Sequence, residues 1–332
     1  MGLDVTPPAL ERIEEARRAI AGTALRTPLL RLDPTRRRKN SPDIYLKLEN
    51  LQPIGSFKIR GAAAVVAATP AKELARGLVT ASAGNMAQGV AWLAREHGVS
   101  CTVVAPESAP LVKTDAVERL GARVLRVPFA DWWRAFEERR YPGVEGVFVH
   151  AFDDVRVMAG NGTIALEILE DLPEVDAIVT PWGGGGLTCG VAAAARALQP
   201  AVQVFAAEVE GAAPLAASLE VGEPRTIEYR PSFVDGIGSP TVFPQMLARA
   251  QDLVAGGLVV SVDAVADALL LMAERNHVIA EGAGACPVAC ALAGGAGEGT
   301  VVCVVSGGSI SLEEVAALMS RPGEAARRGR PA

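Results

Sequence analysis

The chain has 332 residues, half of them hydrophobic and 21% charged, with 34 glycines and 22 prolines, which excludes a disordered or fibrous protein and provides for one large or two modest cores. Thirty-two basic against 38 acidic side chains leave a formal charge of −6, so there is no basic excess to neutralise nucleic-acid phosphates or an anionic membrane. Neither is expected as a partner. The most apolar stretch, Gly282 to Gly297, consists of small residues interrupted by Gly, Cys and Pro rather than roughly 18 or more continuous large apolar ones, so no membrane span is expected.

The opening MGLDVTPPALERIEEARR lacks a basic flank followed by an apolar core, reads as no secretory signal and points to a cytoplasmic protein. Thr6-Pro7-Pro8 fits a helix start, after which Leu10, Ile13, Ala16 and Ile20 recur at helical spacing. Strand-like runs then alternate with helical ones: IYLKLE with FKIRGAAAVVAA, LVTA with NMAQGVAWLAREHG, CTVVAP with LVKTDAVERLG, ARVLRVP with ADWWRAFEERR. The rhythm continues through GVFVHA, DAIVTP, VQVFAAE and TVVCVVSG, each followed by a helical run. Apolar strands alternating with helices predict an α/β protein with parallel sheets covered on both faces, here as two doubly wound domains. The final RPGEAARRGRPA reads as a solvated tail. The five cysteines show no CxxC pair and lie far in sequence from the three histidines, so reduced core thiols are expected and no metal site is.

In doubly wound sheets ligands bind beyond the carboxyl ends of the strands, which restricts the search for chemistry to strand-to-helix turns. The first such turn is Pro181-Trp182-Gly183-Gly184-Gly185-Gly186-Leu187, whose four glycines allow close backbone approach to an anion and aim N–H groups and a helix dipole at a phosphate. No Gly-Lys-Ser/Thr follows, and the glycines do not fit GxGxxG. Glu208, about twenty residues on, nevertheless imitates the ribose-binding acid of a dinucleotide site, so a nicotinamide-dependent dehydrogenase remains open on this turn alone. The second turn, Ser82-Ala83-Gly84-Asn85-Met86, offers Ser82 as a helix cap and further free N–H groups for a carboxylate. The third, Ser56-Phe57-Lys58, places one lysine at the start of an apolar helix, where partial burial lowers its pKa and frees its lone pair for imine formation.

Together these residues resemble the fold-type II pyridoxal-phosphate enzymes of the threonine/serine dehydratase and serine racemase group. The resemblance runs from about Thr27 to Ser309 through Leu46-Lys47-Leu48-Glu49-Asn50, Gly55-Ser56-Phe57-Lys58-Ile59-Arg60-Gly61, Ala81-Ser82-Ala83-Gly84-Asn85, Phe152-Asp153-Asp154, Gly162-Thr163, Gly183 to Gly186 and Ser306-Gly307-Gly308. It implies a tryptophan synthase β-like fold with a large cofactor domain of residues 1–75 and 155–332 and a small mobile substrate domain of residues 76–154. It implies pyridoxal 5′-phosphate covalently held by Lys58, its phosphate bound by Gly183, Gly184, Gly185, Gly186 and Leu187, and Phe57 packed on the ring. Asn85 would contact the ring hydroxyl and Ser306 the pyridine nitrogen. Ser82, Ala83, Gly84 and Asn85 would take the substrate carboxylate, with Lys58 and Ser82 as the catalytic pair.

The activity implied is β-elimination from a β-hydroxy amino acid such as threonine or serine, giving a 2-oxo acid and ammonia, in a homodimer or tetramer. Racemisation or β-replacement on the same cofactor is the alternative. Ala83 stands where the racemases carry a second serine and cannot exchange a proton, which disfavours racemisation. Met86 replaces the usual His and Trp182 a small apolar residue, so a bulkier, less polar pocket wall is expected; Ser309 replaces the usual Asn. Glu208 matches the first carboxylate of the group's divalent-metal site, but Pro214 occupies the place of the second and offers a cation no side-chain oxygen.

Overall fold

A computed structural model of the chain describes residues 5–33, 42–109 and 111–321, and the tail read as solvated lies outside the described residues from 322 onward. In chain order the described residues form α1 (Leu10–Ala19), β1 (Leu29–Arg31), β2 (Asp43–Leu48), α2 (Lys58–Ala67), α3 (Ala71–Leu74), β3 (Leu78–Ala81), α4 (Asn85–Glu96), β4 (Cys101–Pro106), α5 (Leu111–Arg119), β5 (Arg123–Val127), α6 (Phe129–Glu138) and β6 (Val147–Phe148). There follow α7 (Val155–Asp171), β7 (Ala177–Pro181), α8 (Gly186–Leu198), β8 (Gln203–Val209), α9 (Pro214–Val221), α10 (Pro244–Leu253), β9 (Gly256–Val260), α11 (Val262–Leu271), α12 (Gly282–Leu292), β10 (Thr300–Val305) and α13 (Leu312–Met319).

Two sheets result, one in the order β1-β2-β10-β7-β8-β9 and the other in the order β5-β4-β3-β6. Every pairing is parallel except that of the edge strand β1 with β2. All strands of the smaller sheet fall between Leu78 and Phe148, and all strands of the larger one lie outside that span. The expected α/β class with two parallel sheets is what the chain forms.

The period of two along β10 shows how the larger sheet is covered. Val302 and Val304 pack into the core shared with α2, α7 and α8, while Val301, Cys303 and Val305 pack into the core shared with α11 and α12. On the smaller sheet, Ala81, Val104 and Val127 meet Ala135 and Phe136 of α6, and Leu78 and Val103 meet α4 on the opposite face. Helices on the first face approach closely through glycine. A Cβ on Gly160 would lie 2.4 Å from the Arg60 carbonyl oxygen, and one on Gly190 would lie 2.2 Å from that of Met158.

Sequence periodicity does not announce α12. Its run GAGACPVACAL is buried along nearly its whole length and carries Pro287 inside the helix, so it has no polar stripe against which an apolar one could be recognised. No helix among the described residues is long and apolar enough to cross a membrane.

Behind the first turn of α2 lies a buried charge cluster that accounts for several of the motif residues. Arg60 donates to both oxygens of Glu49 at 2.8 Å, to the two oxygens of Glu167 at 2.7 and 2.9 Å, and to Thr163 Oγ1 at 3.0 Å. Lys47 Nζ donates to Glu167 Oε2 at 2.6 Å and to the Thr27 carbonyl at 2.7 Å, and Thr27 Oγ1 donates to Glu49 Oε1 at 2.6 Å. Two acids and two bases thus neutralise one another inside the core, and they tie β2 and α7 to the helix that begins with Lys58.

Candidate functional site

Strand ends and helix starts converge on a cavity of about 520 Å³ between the two sheets, lined by all three turns singled out in the sequence. Lys58 is the first residue of α2 and is half-buried at the cavity wall. Its Nζ donates to the Ala151 carbonyl at 2.9 Å and lies 5.0 Å from the centre of the Phe57 ring. Burial pushes the amine down to about 8, against a smaller upward pull from Glu281. The turn is fixed by backbone pairing with the end of β10: Phe57 N–H donates to Ser306 O at 3.0 Å and Gly308 N–H to Gly55 O at 2.9 Å. Gly55 accepts this route because its φ is +69°. That pairing brings Ser306, from the far end of the sequence, to the same wall as Lys58, and among the described residues its hydroxyl has no protein partner.

The polyglycine turn follows β7 and leads into α8. Within the described residues, no backbone N–H from Gly183 to Thr188 donates to a protein acceptor, the first bond of the helix being Cys189 N–H to Gly185 O at 2.8 Å. A cluster of unpaired donors at a helix N-terminus is what a phosphate requires, so the residues present fit pyridoxal phosphate. Close packing also demands these glycines. A Cβ on Gly184 would lie 1.9 Å from the Phe152 ring, one on Gly185 2.3 Å from the Trp182 ring, and one on Gly186 2.6 Å from the Phe152 carbonyl, whereas one on Gly183 would meet nothing closer than 3.4 Å. Trp182 therefore supports the turn from beneath and is buried in the larger core; it does not form the bulky pocket wall expected of it. Met86 does line the cavity.

Ser82 acts differently from the cap expected. The residue preceding α4 is Gly84, with no side-chain cap, and Ser82 Oγ instead accepts the Gly84 N–H at 3.2 Å within the turn. Among the described residues the N–H groups of Ala83, Asn85 and Met86 have no protein acceptor, which leaves a second set of donors at the cavity wall. Asn85 Nδ2 donates across the cleft to both oxygens of Glu281 at 3.0 and 3.2 Å. Glu281, the residue before α12, was not singled out from sequence. Burial pushes its carboxyl up to about 7, although Asn85 and the Ser309 N–H favour the ionised form. Gly307 makes room for it, since a Cβ there would sit 2.5 Å from Glu281 Oε1. No local signal in the sequence marks it, because the helix it precedes is itself unannounced by periodicity.

Glu208 neither faces the cavity nor imitates a ribose ligand. Its oxygens accept the Leu215 and Ala216 N–H groups at 2.9 and 2.7 Å, capping α9 directly after Pro214, and burial pushes it up to about 7. Both carboxylate oxygens are thereby committed to the backbone.

A family model described as "pyridoxal-phosphate dependent enzyme" matches residues 20–307. The chain is 41% identical over 285 residues to the L-threonine ammonia-lyase of Thermotoga maritima, which is 85% of this chain and 71% of that relative. Serine racemase from Dictyostelium discoideum superposes with a TM-score of 0.81 at 32% identity, covering 92% of this chain and 99% of the other. Threonine deaminase isoform 2 from Solanum lycopersicum superposes with a TM-score of 0.83 at 27% identity, covering 98% and 91%. The chain belongs to the pyridoxal-phosphate dependent enzyme family, in the fold-type II group that holds the threonine dehydratases and serine racemases. Its cofactor is pyridoxal phosphate, and the nicotinamide alternative falls away.

Proposed function

We propose that the protein is a lyase that removes the β-hydroxyl and the amino group from a β-hydroxy amino acid such as threonine or serine, releasing a 2-oxo acid and ammonia. The observation that carries this reading is the depressed, half-buried Lys58 amine sharing one cavity with the unpaired N–H groups of Gly183 to Leu187. The similarity to a threonine ammonia-lyase at 41% identity supports the same choice of reaction. When bound, pyridoxal phosphate supplies an electron sink that eases loss of the Cα proton and of the β-substituent.

In this reading Lys58 anchors the cofactor and its Nζ, poised near neutrality, carries the Cα proton. Gly183, Gly184, Gly185, Gly186 and Leu187 hold the phosphate through backbone N–H groups, and Phe57 packs against the ring. Ser306 offers a hydroxyl to the pyridine nitrogen. A neutral hydroxyl would not hold that nitrogen protonated, so the cofactor would supply a weaker electron sink there. Asn85, held by Glu281, would contact the ring hydroxyl. The turn Ser82, Ala83, Gly84 and Asn85 takes the substrate carboxylate on the free N–H groups at the start of α4, with Ser82 contributing to catalysis from the same turn.

Residues 76–154 form the unit that closes over the substrate, and water is excluded when they do. The Lys113–Asp235 and Asn85–Glu281 contacts, which cross between the smaller-sheet side and the larger one, would have to break and re-form in that motion. Ala83 provides no second acid/base, so elimination rather than racemisation is the expected outcome. The enzyme is expected to work as a cytoplasmic homodimer or tetramer. Incubating the cofactor-loaded protein with L-threonine and L-serine should yield 2-oxo acid and ammonia in equal amounts and no D-amino acid. Accumulation of D-serine, or of a β-substituted product when a thiol is added, would assign the site to the alternative chemistries.

A further inference from the structure

Beside the glycine turn, which Phe152 touches, the cavity wall carries a set of aromatic rings. Trp132, Trp133 and Phe136 project from α6, Phe152 follows β6, and Phe243 precedes α10, and all five line the cavity. Phe152 and Phe243 lie 5.3 Å apart, edge to face, Phe136 lies 5.3 Å from Phe152, and Trp133 meets Phe243 edge to face at 5.7 Å. Four of the five are only half-buried, with Phe136 the fully buried one behind them. The wall adjoins the reacting amine, because Phe152 follows the Ala151 whose carbonyl accepts Lys58 Nζ.

The charges around the cavity are committed elsewhere. Lys113 pairs with Asp235, and Glu281 holds Asn85, so among the described lining residues Lys58 is the sole cation without a carboxylate partner. A second carboxylate on the substrate would find no counter-charge. A hydroxymethyl or hydroxyethyl side chain would leave the rings facing water, whereas an aromatic ring would complete the edge-to-face set.

We propose that the preferred substrate is a β-hydroxy amino acid carrying an aryl group on Cβ, seated against Trp133, Phe152 and Phe243. The inference rests on the elimination reading above and narrows it. The reaction balances without a co-reactant. The Cα–H proton passes to Lys58 Nζ, the Cβ–O bond breaks with its electron pair on oxygen, that oxygen takes the proton Lys58 has received and departs as water, and one water is consumed as the released enamine tautomerises and hydrolyses. R–CH(OH)–CH(NH3+)–COO− thereby becomes R–CH2–CO–COO− and NH4+.

The test uses the cofactor-loaded enzyme with β-phenylserine, β-hydroxyleucine, L-threonine and L-serine, reading 2-oxo acid release. Phenylserine is expected to exceed threonine in kcat/KM by about a hundredfold, the scale set by burying a ring in place of a methyl group. Trp133→Ala should lower that ratio about tenfold while Trp133→Phe preserves most of it. Should the alanine variant fail to fold, Phe243→Ala tests the same wall from the other side of the cleft. Preference for threonine, serine or β-hydroxyleucine over phenylserine overturns the aryl assignment and leaves elimination standing. No 2-oxo acid from any of the four overturns the elimination reading and the aryl assignment with it.

Discussion

Replacing Arg60 by methionine keeps an unbranched apolar stem and removes the guanidinium with its charge, which tests whether the cluster behind α2 is a balanced unit. Arg60 is 1% exposed and reaches Glu49, Glu167, Thr163 and the Leu25 carbonyl. With Arg60 and Lys47 facing Glu49 and Glu167 the cluster is neutral; without Arg60 it is left with one uncompensated negative charge in the core. Breaking a buried pair in this way costs about 3–5 kcal/mol, a large part of the roughly 5–15 kcal/mol typical of a folded protein. Urea unfolding at neutral pH, followed by tryptophan fluorescence, reads the loss directly.

The pH dependence of that loss is also set. Burial alone would raise the Glu49 carboxyl, but Arg60 beside it holds it below the usual carboxylate range. A depressed carboxylate contributes stability that is present above its unfolded value, about 4.3, and is lost as pH falls through the folded one. The gap between wild type and Arg60→Met should therefore be widest near neutrality and narrow in acid. A loss below about 1 kcal/mol, the scale of an exposed pair, or a gap that does not change with pH, would refute the claim that the four charges form a mutually dependent buried unit.

Three further substitutions probe the site. Gly184→Ala drives a methyl group into the Phe152 ring and should weaken pyridoxal-phosphate binding at least about tenfold and cost about 1–3 kcal/mol, whereas Gly183→Ala, with its nearest neighbour at 3.4 Å, should cost far less; a cofactor titration and thermal unfolding of both variants compare them. Glu281→Gln should remove a limb near pH 7 from the kcat/KM profile. Glu281 ionises at about 7, and only the ionised form accepts from Asn85 through both oxygens, so wild-type activity should fall as pH drops through 7 while that of the variant does not.

Much of this architecture is legible in the chain. The β10 run TVVCVV, the β7 run AIVTP and the turns after β3 and β7 announce parallel strands feeding helix N-termini, because apolar runs and glycine clusters are local signals. Lys58 and the polyglycine turn stand out for the same reason. What escapes a local reading depends on contacts between distant segments. Glu281 acquires its meaning only from Asn85, 196 residues away. The aromatic wall is assembled from α6, the loop after β6 and the start of α10, so Trp133 and Phe243 carry no common pattern along the chain. Trp182 misleads in the opposite sense: adjacent to the glycines in sequence, it turns beneath them rather than into the cavity.

The most direct measurement is the site of covalent attachment of the cofactor. The cofactor-loaded protein should be reduced with borohydride, digested and analysed by mass spectrometry, with the reaction repeated across pH. The expected result is a single pyridoxyl group on Lys58, and loading of the cofactor-free protein before reduction should go faster as pH rises through about 8, where burial has placed the amine and its lone pair becomes free. A label on Lys113, the other lysine at the cavity wall, or undiminished incorporation into Lys58→Ala, would contradict the account.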